Sequence, residues 1–176
     1  MYSPGIKKNE SNLLIAETPN FIRGYADSKR LLLQECKEHS LLGFNYKMLV
    51  LPSIYGPFNL DSYPKQMLNS IILRAIRLKK EKQNILDVRG NLTAQREYIF
   101  LPDVCDWISK KIKLIDELPT VLNLGTNSIL PILEYYNICS KLTNLELNVV
   151  QEMMYKNDDK SSEDPLTPTH AVIFGW

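Results

Sequence analysis

The chain has 176 residues, of which 44% are hydrophobic and 23% charged, with a formal net charge of +1. This is ordinary globular composition at a length that can bury a core. The near-neutral balance offers no electrostatic footprint for nucleic acid or a membrane surface. Cys36, Cys105 and Cys139 stand far apart, as do His39 and His170, so neither a disulfide framework nor a metal site is expected. Reduced thiols fit a cytoplasmic setting, and there is no signal peptide and no apolar run of transmembrane length. The run Lys79-Lys80-Glu81-Lys82 is broken by its acid and reads as the solvated end of a helix.

In chain order, residues 10–20 read as a loop, with Pro19-Asn20 as a helix-entry signal. A helix follows from Phe21 to about His39, its stripe carried by Leu32, Leu33 and Cys36. Tyr46 to Leu51 is a short apolar strand stopped by Pro52, and Ser53 to Tyr63, which contains Gly56-Pro57, reads as a loop. Pro64 to about Lys80 forms an amphipathic helix with Met67, Ile71, Ile72, Ala75 and Ile76 on one face. Strands are expected over Ile85–Val88 and Glu97–Leu101, a helix from Pro102 to about Ile112, a strand over Thr120–Leu124 closed by Gly125, a helix over Ile129 to about Leu142, and a last strand over Leu145–Val150. The stretch Lys156 to Glu163 is polar and reads as mobile. Strands alternating with helices give an α/β chain.

A complete doubly wound domain opens with a strand, a Gly-rich turn and a helix. The seven glycines are scattered and form no GxGxxG or GxxGxxG, so the phosphate-cradling turn is absent from the chain. The turn-like start at Met1-Tyr2-Ser3-Pro4 and the apolar end at Ile173-Phe174-Gly175-Trp176 are unlike frayed natural termini. Both lead to the expectation of a piece of a longer protein.

Chemistry centres on Tyr25-Ala26-Asp27-Ser28-Lys29. Positions i and i+4 share a helical face, which sets the Tyr25 phenol beside the Lys29 ammonium. A free phenol, with a pKa near ~10, is a poor base at neutral pH, and an adjacent cation favours the phenolate. A tyrosine so placed can take a proton from a hydroxyl as hydride leaves the same carbon, or return it. The spacing alone is equally that of an incidental surface pair.

Its surroundings add to it. Glu17-Thr18-Pro19 precedes Tyr25-Ala26-Asp27-Ser28-Lys29. Leu49 to Pro57 reads LVLPSIYGP, Arg96 to Val104 reads REYIFLPDV, and Leu122 to Thr126 reads LNLGT. In this order the segments resemble the extended short-chain dehydrogenases of the NAD-dependent epimerase/dehydratase type, over most of the chain: a proline loop and Y-x-x-S-K, a strand with N-x-Y-G-P, R-D-(F/Y)-I-x-V-x-D-V, and Y-N-(V/L)-G-(S/T). Phe174-Gly175-Trp176 is similar to the family's late (L/F)-G-W.

The resemblance implies a partial Rossmann-type parallel sheet plus a small substrate-binding lobe, residues 1–176 forming the C-terminal part of such an enzyme without its Gly-rich half. It implies Tyr25 as catalytic acid/base and Lys29 as its electrostatic partner and a contact to the nicotinamide ribose of NAD or NADP. It implies Arg96 at the diphosphate of a nucleotide sugar, where a fork of donors suits the role. A salt bridge from Arg96 to Glu97 or Asp103 is the alternative. Ser53 stands where the family has an asparagine beside sugar and nicotinamide, and offers fewer hydrogen-bonding groups. Asp103 reads as a helix N-terminal carboxylate, and Asn123 and Gly125 as strand-end and turn residues.

Two departures follow. The family's catalytic Ser or Thr precedes the segment matched by Met1-Tyr2-Ser3, and Ser3 is too late to fill it. Phe58 follows Tyr55-Gly56-Pro57, where a related epimerising branch has a proton-exchanging histidine, which disfavours that reaction. The expected activity is NAD(P)-dependent nucleotide-sugar epimerisation, dehydration or reduction, with the chain alone inactive. The rival expectation is a non-catalytic remnant or a module that needs a separate cofactor-binding chain. Self-association, or docking of the missing half, is expected to cover its open strand edge.

Overall fold

The computed structural model describes Tyr2 and residues 7–13, 23–57, 66–152 and 164–176. The readings of Ser3, Glu17-Thr18-Pro19, Phe58, Pro64 and residues 156–163 lie outside them. The chain forms two compact units, one of Met1–Ile54, Glu97–Ser128 and Glu163–Trp176, the other of Tyr55–Arg96 and Ile129–Ser162.

In the first unit, α1 spans Arg23–Leu41. It contains no proline and no β-branched residue, and Gly24 is its only weak helix former. Ala26 and Leu33 lie buried two turns apart, with Lys29, Cys36 and Ser40 half-buried along the same stripe. Gly43, at a φ of 89°, ends the helix in the left-handed conformation that glycine adopts without strain. Of the expected stripe of Leu32, Leu33 and Cys36, Leu33 is buried and Cys36 half-buried, while Leu32 is exposed.

β1 (Met48–Val50) runs parallel to β6 (Val121–Asn123), with Met48 opposite Val121 and Val50 opposite Asn123. Both faces of the pair are covered. Met48, Val50 and Val121 pack with Leu13, Leu33 and Leu166. Leu49, Leu51, Leu122 and Leu124 pack with Ile99, Val104 and Trp107. An uninterrupted apolar run is what a doubly covered parallel strand requires. Among the described residues β1 is paired with β6 alone.

β2 (Ser53–Tyr55) pairs with β5 (Tyr98–Phe100). The loop reading from Ser53 onward therefore starts too early, because Ile54 and Tyr55 are a β-branched and an aromatic residue that pair before Gly56-Pro57 ends the strand. α3 (Leu101–Lys111) carries Pro102 and Asp103 in its first turn, where a missing N–H and a negative charge are both tolerated, and buries Val104 and Trp107 three residues apart. The last segment returns to the unit. Leu166 bridges Lys8, and the Trp176 ring meets Trp107 edge-on at 5.9 Å.

In the second unit, α2 (Met67–Lys80) and α4 (Ile132–Thr143) pack with β3 (Ile85–Gly90) and β8 (Glu146–Glu152), which run parallel. Ile71, Ala75, Leu86, Val88, Ile132, Tyr136, Cys139 and Leu145 form the core. A short antiparallel pair, β4 (Gln95–Arg96) with β7 (Leu130–Pro131), takes residues expected to open α4. Asn144, at a φ of 53°, closes α4 by donating its N–H to the Ser140 carbonyl. Parallel pairs alternating with helices make the chain α/β.

Candidate functional site

Helix α1 holds Tyr25 and Lys29 on neighbouring turns, and Nζ of Lys29 lies 5.6 Å from the centre of the Tyr25 ring. Tyr25 is 65% exposed, its phenol open to a reactant, while Lys29 is half-buried. Ser28 is turned back along the helix, its hydroxyl donating to the Tyr25 carbonyl at 2.7 Å, so it takes no part beside the phenol. Arg23 and Asp27 form an exposed ion pair one turn apart at 3.8 Å.

Ser53, exposed at the start of β2, belongs to the same unit as Tyr25 and Lys29. Arg96 belongs to the second unit, at the end of β4, where one guanidinium N–H donates to the Gln95 carbonyl at 2.8 Å and the Tyr135 hydroxyl donates to the Arg96 carbonyl at 2.8 Å. The reading of Glu97 as a salt-bridge partner of Arg96 is replaced by another arrangement. The Glu97 carboxylate, 2% exposed, accepts from the Thr126 N–H at 2.5 Å, the Thr126 hydroxyl at 2.8 Å and the Leu166 N–H at 2.6 Å. Three donors stand in for the water the carboxylate has lost. The signal for it was a lone carboxylate opening the strand-forming run Tyr98-Ile99-Phe100.

Asn123 and Gly125 are strand-end residues in the structure. The Asn123 side chain is fully buried, accepts from the Tyr2 hydroxyl at 2.8 Å and donates to the Lys8 and Thr167 carbonyls at 2.8 and 3.1 Å. A Cβ on Gly125 would stand 2.5 Å from Leu166 atoms, so only glycine fits. Burial pushes the Tyr2 phenol far above its usual range. The Asn123 hydrogen bond opposes the shift, and the Glu10 carboxylate adds to it. Sequence reasoning missed Tyr2 because its hydrogen-bond partner Asn123 lies 121 positions away.

Among the described residues no group of His, Cys, Asp and Glu could hold a metal ion, and no helix is long and apolar enough to cross a membrane. A cavity of about 720 Å³ lies at the C-terminal end of β6, lined by residues that include Lys7, Thr126, Asn127, Thr169 and Trp176.

The family model for the NAD dependent epimerase/dehydratase family matches residues 1–125. Among curated proteins, GDP-L-fucose synthase of Azorhizobium caulinodans is 27% identical over 155 residues, covering 87% of this chain and 49% of that protein. GDP-L-colitose synthase of Yersinia pseudotuberculosis is 25% identical over 138 residues, covering 76% of this chain and 44% of that one. Among solved structures, the GDP-mannoheptose C4 reductase of Campylobacter jejuni with NADP bound superposes with a TM-score of 0.73 at 16% identity, over 99% of this chain and 60% of that one. That likeness shows the fold, the Rossmann-type α/β fold. The chain spans about half the length of the curated relatives it matches.

Proposed function

Because the chain belongs to the NAD dependent epimerase/dehydratase family, we propose that it supplies the acid/base and substrate-recognition half of a nucleotide-sugar epimerase, dehydratase or reductase. The observation that carries this reading is the exposed Tyr25 phenol with the Lys29 ammonium 5.6 Å from its ring. Tyr25 takes or returns the proton of the reacting sugar hydroxyl. Lys29 holds the charge that develops and donates to the nicotinamide ribose. Ser53 donates a hydrogen bond to sugar or nicotinamide, and Arg96 binds the diphosphate with paired donors.

The nicotinamide cofactor, NAD or NADP, supplies the hydride chemistry when bound. The chain's residues suit one end of it. Lys29 and Ser53 suit the ribose and nicotinamide, whereas the N-caps of α2, α3 and α4 are Gln66, Phe100 and Pro131, which offer no Gly-rich cradle for a pyrophosphate. A second reading follows from that mismatch: a module whose cofactor-binding half is a separate polypeptide. On either reading the chain alone binds dinucleotide weakly.

The relatives' names point to guanosine-diphosphate sugars, and GDP-mannose is a suitable probe. Calorimetric titration of the chain should show saturable binding, lowered about tenfold or more by Arg96→Ala, as expected for loss of a charge-assisted pair to a diphosphate. Binding that is absent, or indifferent to Arg96, would overturn the reading.

A further inference from the structure

The cavity at the C-terminal end of β6 has no part in the roles above, since neither Tyr25, Lys29 nor Ser53 lines it. It is a groove open to solvent over much of its extent, with a volume of about 720 Å³, within the range of small-molecule sites. Its walls are fixed from behind. Glu97 holds the N–H and hydroxyl of Thr126, and the Trp176 indole N–H donates to the Gly125 carbonyl at 2.7 Å. Leu166 presses on Gly125 so closely that no Cβ fits, and Asn127 is set at a φ of 55°, a conformation that asparagine tolerates in tight turns. Walls already ordered spare a ligand the cost of ordering them.

The lining has three kinds of chemistry. Lys7 is its one charged side chain, and no ion pair engages it among the described residues. Asn127, Thr167 and Thr169 bring an amide and two hydroxyls whose side chains make no hydrogen bond within the described residues. Val172 and Trp176 bring apolar surface. One cation, several neutral hydrogen-bonding groups and an apolar side complement a sugar ring that carries a single negative group. The ammonium meets the anion, the amide and hydroxyls meet the ring hydroxyls, and the C–H face lies on Val172 and Trp176. A neutral sugar leaves Lys7 unused, and bare phosphate leaves most of the volume to water.

We propose that this cavity binds a small anionic sugar, a sugar monophosphate or a uronate, at a site separate from Tyr25 and Lys29. The proposal does not rest on the function proposed above. Saturation-transfer NMR titrations of the whole chain test it, with glucose 6-phosphate and glucuronate as probes and glucose and inorganic phosphate as controls. Glucose 6-phosphate and glucuronate should bind saturably and compete with each other. Lys7→Gln should weaken both about tenfold, while Tyr25→Phe leaves both unchanged. Lys7 is exposed, so its substitution should leave the circular dichroism spectrum intact. Failure of both anionic sugars to bind, phosphate binding as tightly as glucose 6-phosphate, or affinity indifferent to Lys7→Gln would each overturn it.

Discussion

Replacing Glu97 with glutamine changes one atom type inside a buried knot. The carboxylate uses both oxygens, one for the Thr126 N–H and hydroxyl, the other for the Leu166 N–H. Glutamine keeps one acceptor oxygen and gains two N–H donors. With its oxygen toward Thr126, its amide N–H groups face the Leu166 N–H, and the reverse rotamer leaves two donors at Thr126 unanswered. An unsatisfied buried donor costs ~1–3 kcal/mol, and the charge assistance is lost as well, so the expected destabilisation is ~2–3 kcal/mol. Replacing a buried charge can be neutral or stabilising where apolar groups take its place; here three donors remain aimed at the site. Trp107 and Trp176 belong to the same unit, so their fluorescence follows its unfolding in urea. With a slope of ~1–2 kcal/mol per molar, the midpoint should fall by ~1–3 M at unchanged slope. A midpoint that stays within ~0.3 M of wild type would refute the claim that the carboxylate ties these segments together.

The remaining predictions concern the thiols, the buried phenol and the exposed apolar surface. Cys105 is exposed, Cys36 intermediate and Cys139 buried, with burial pushing the Cys139 thiol up. A maleimide time course read by peptide mass should label Cys105 first and Cys139 only on unfolding. Because the Tyr2 phenol is raised in the folded state, its contribution to stability is complete below the unfolded phenol value of ~10 and is lost as pH climbs through the folded value. Urea midpoints measured across that alkaline range should fall, and Tyr2→Phe should flatten part of the fall; an unaltered slope would contradict this. Leu31, Leu32, Leu41, Leu42, Phe44 and Tyr46 are all at least half exposed on and after α1, and β1 has a free edge among the described residues. Size-exclusion chromatography should therefore show self-association, and a monodisperse monomer would contradict it.

Much of this was legible because it depends on local pattern. The i, i+4 spacing of Tyr25 and Lys29 needs only a helix, and the lack of helix breakers from Arg23 to Leu41 provides it. The run Met48-Leu49-Val50-Leu51 reads as a strand covered on both faces, and the structure covers both. What escaped depends on distant partners. Ser53–Tyr55 becomes a strand because Tyr98–Phe100 lies beside it. Leu130-Pro131 leaves α4 because Gln95-Arg96 offers a ladder. Glu97, one of two alternative ion-pair partners offered for Arg96, turns inward because Thr126 and Leu166 bring donors from 29 and 69 residues away. No periodicity reports such a meeting.

The proposed acid/base role of Tyr25 is tested most directly by joining this chain to the portion of the Azorhizobium GDP-L-fucose synthase that it does not cover and following nicotinamide absorbance with a GDP-sugar. Turnover should require Tyr25, with Tyr25→Phe lowering kcat by about 10²–10⁴-fold, the range for a positioned acid/base group, while GDP-mannose affinity in calorimetry stays the same. A Tyr25→Phe chimera that turns over at the unsubstituted rate would contradict the proposal.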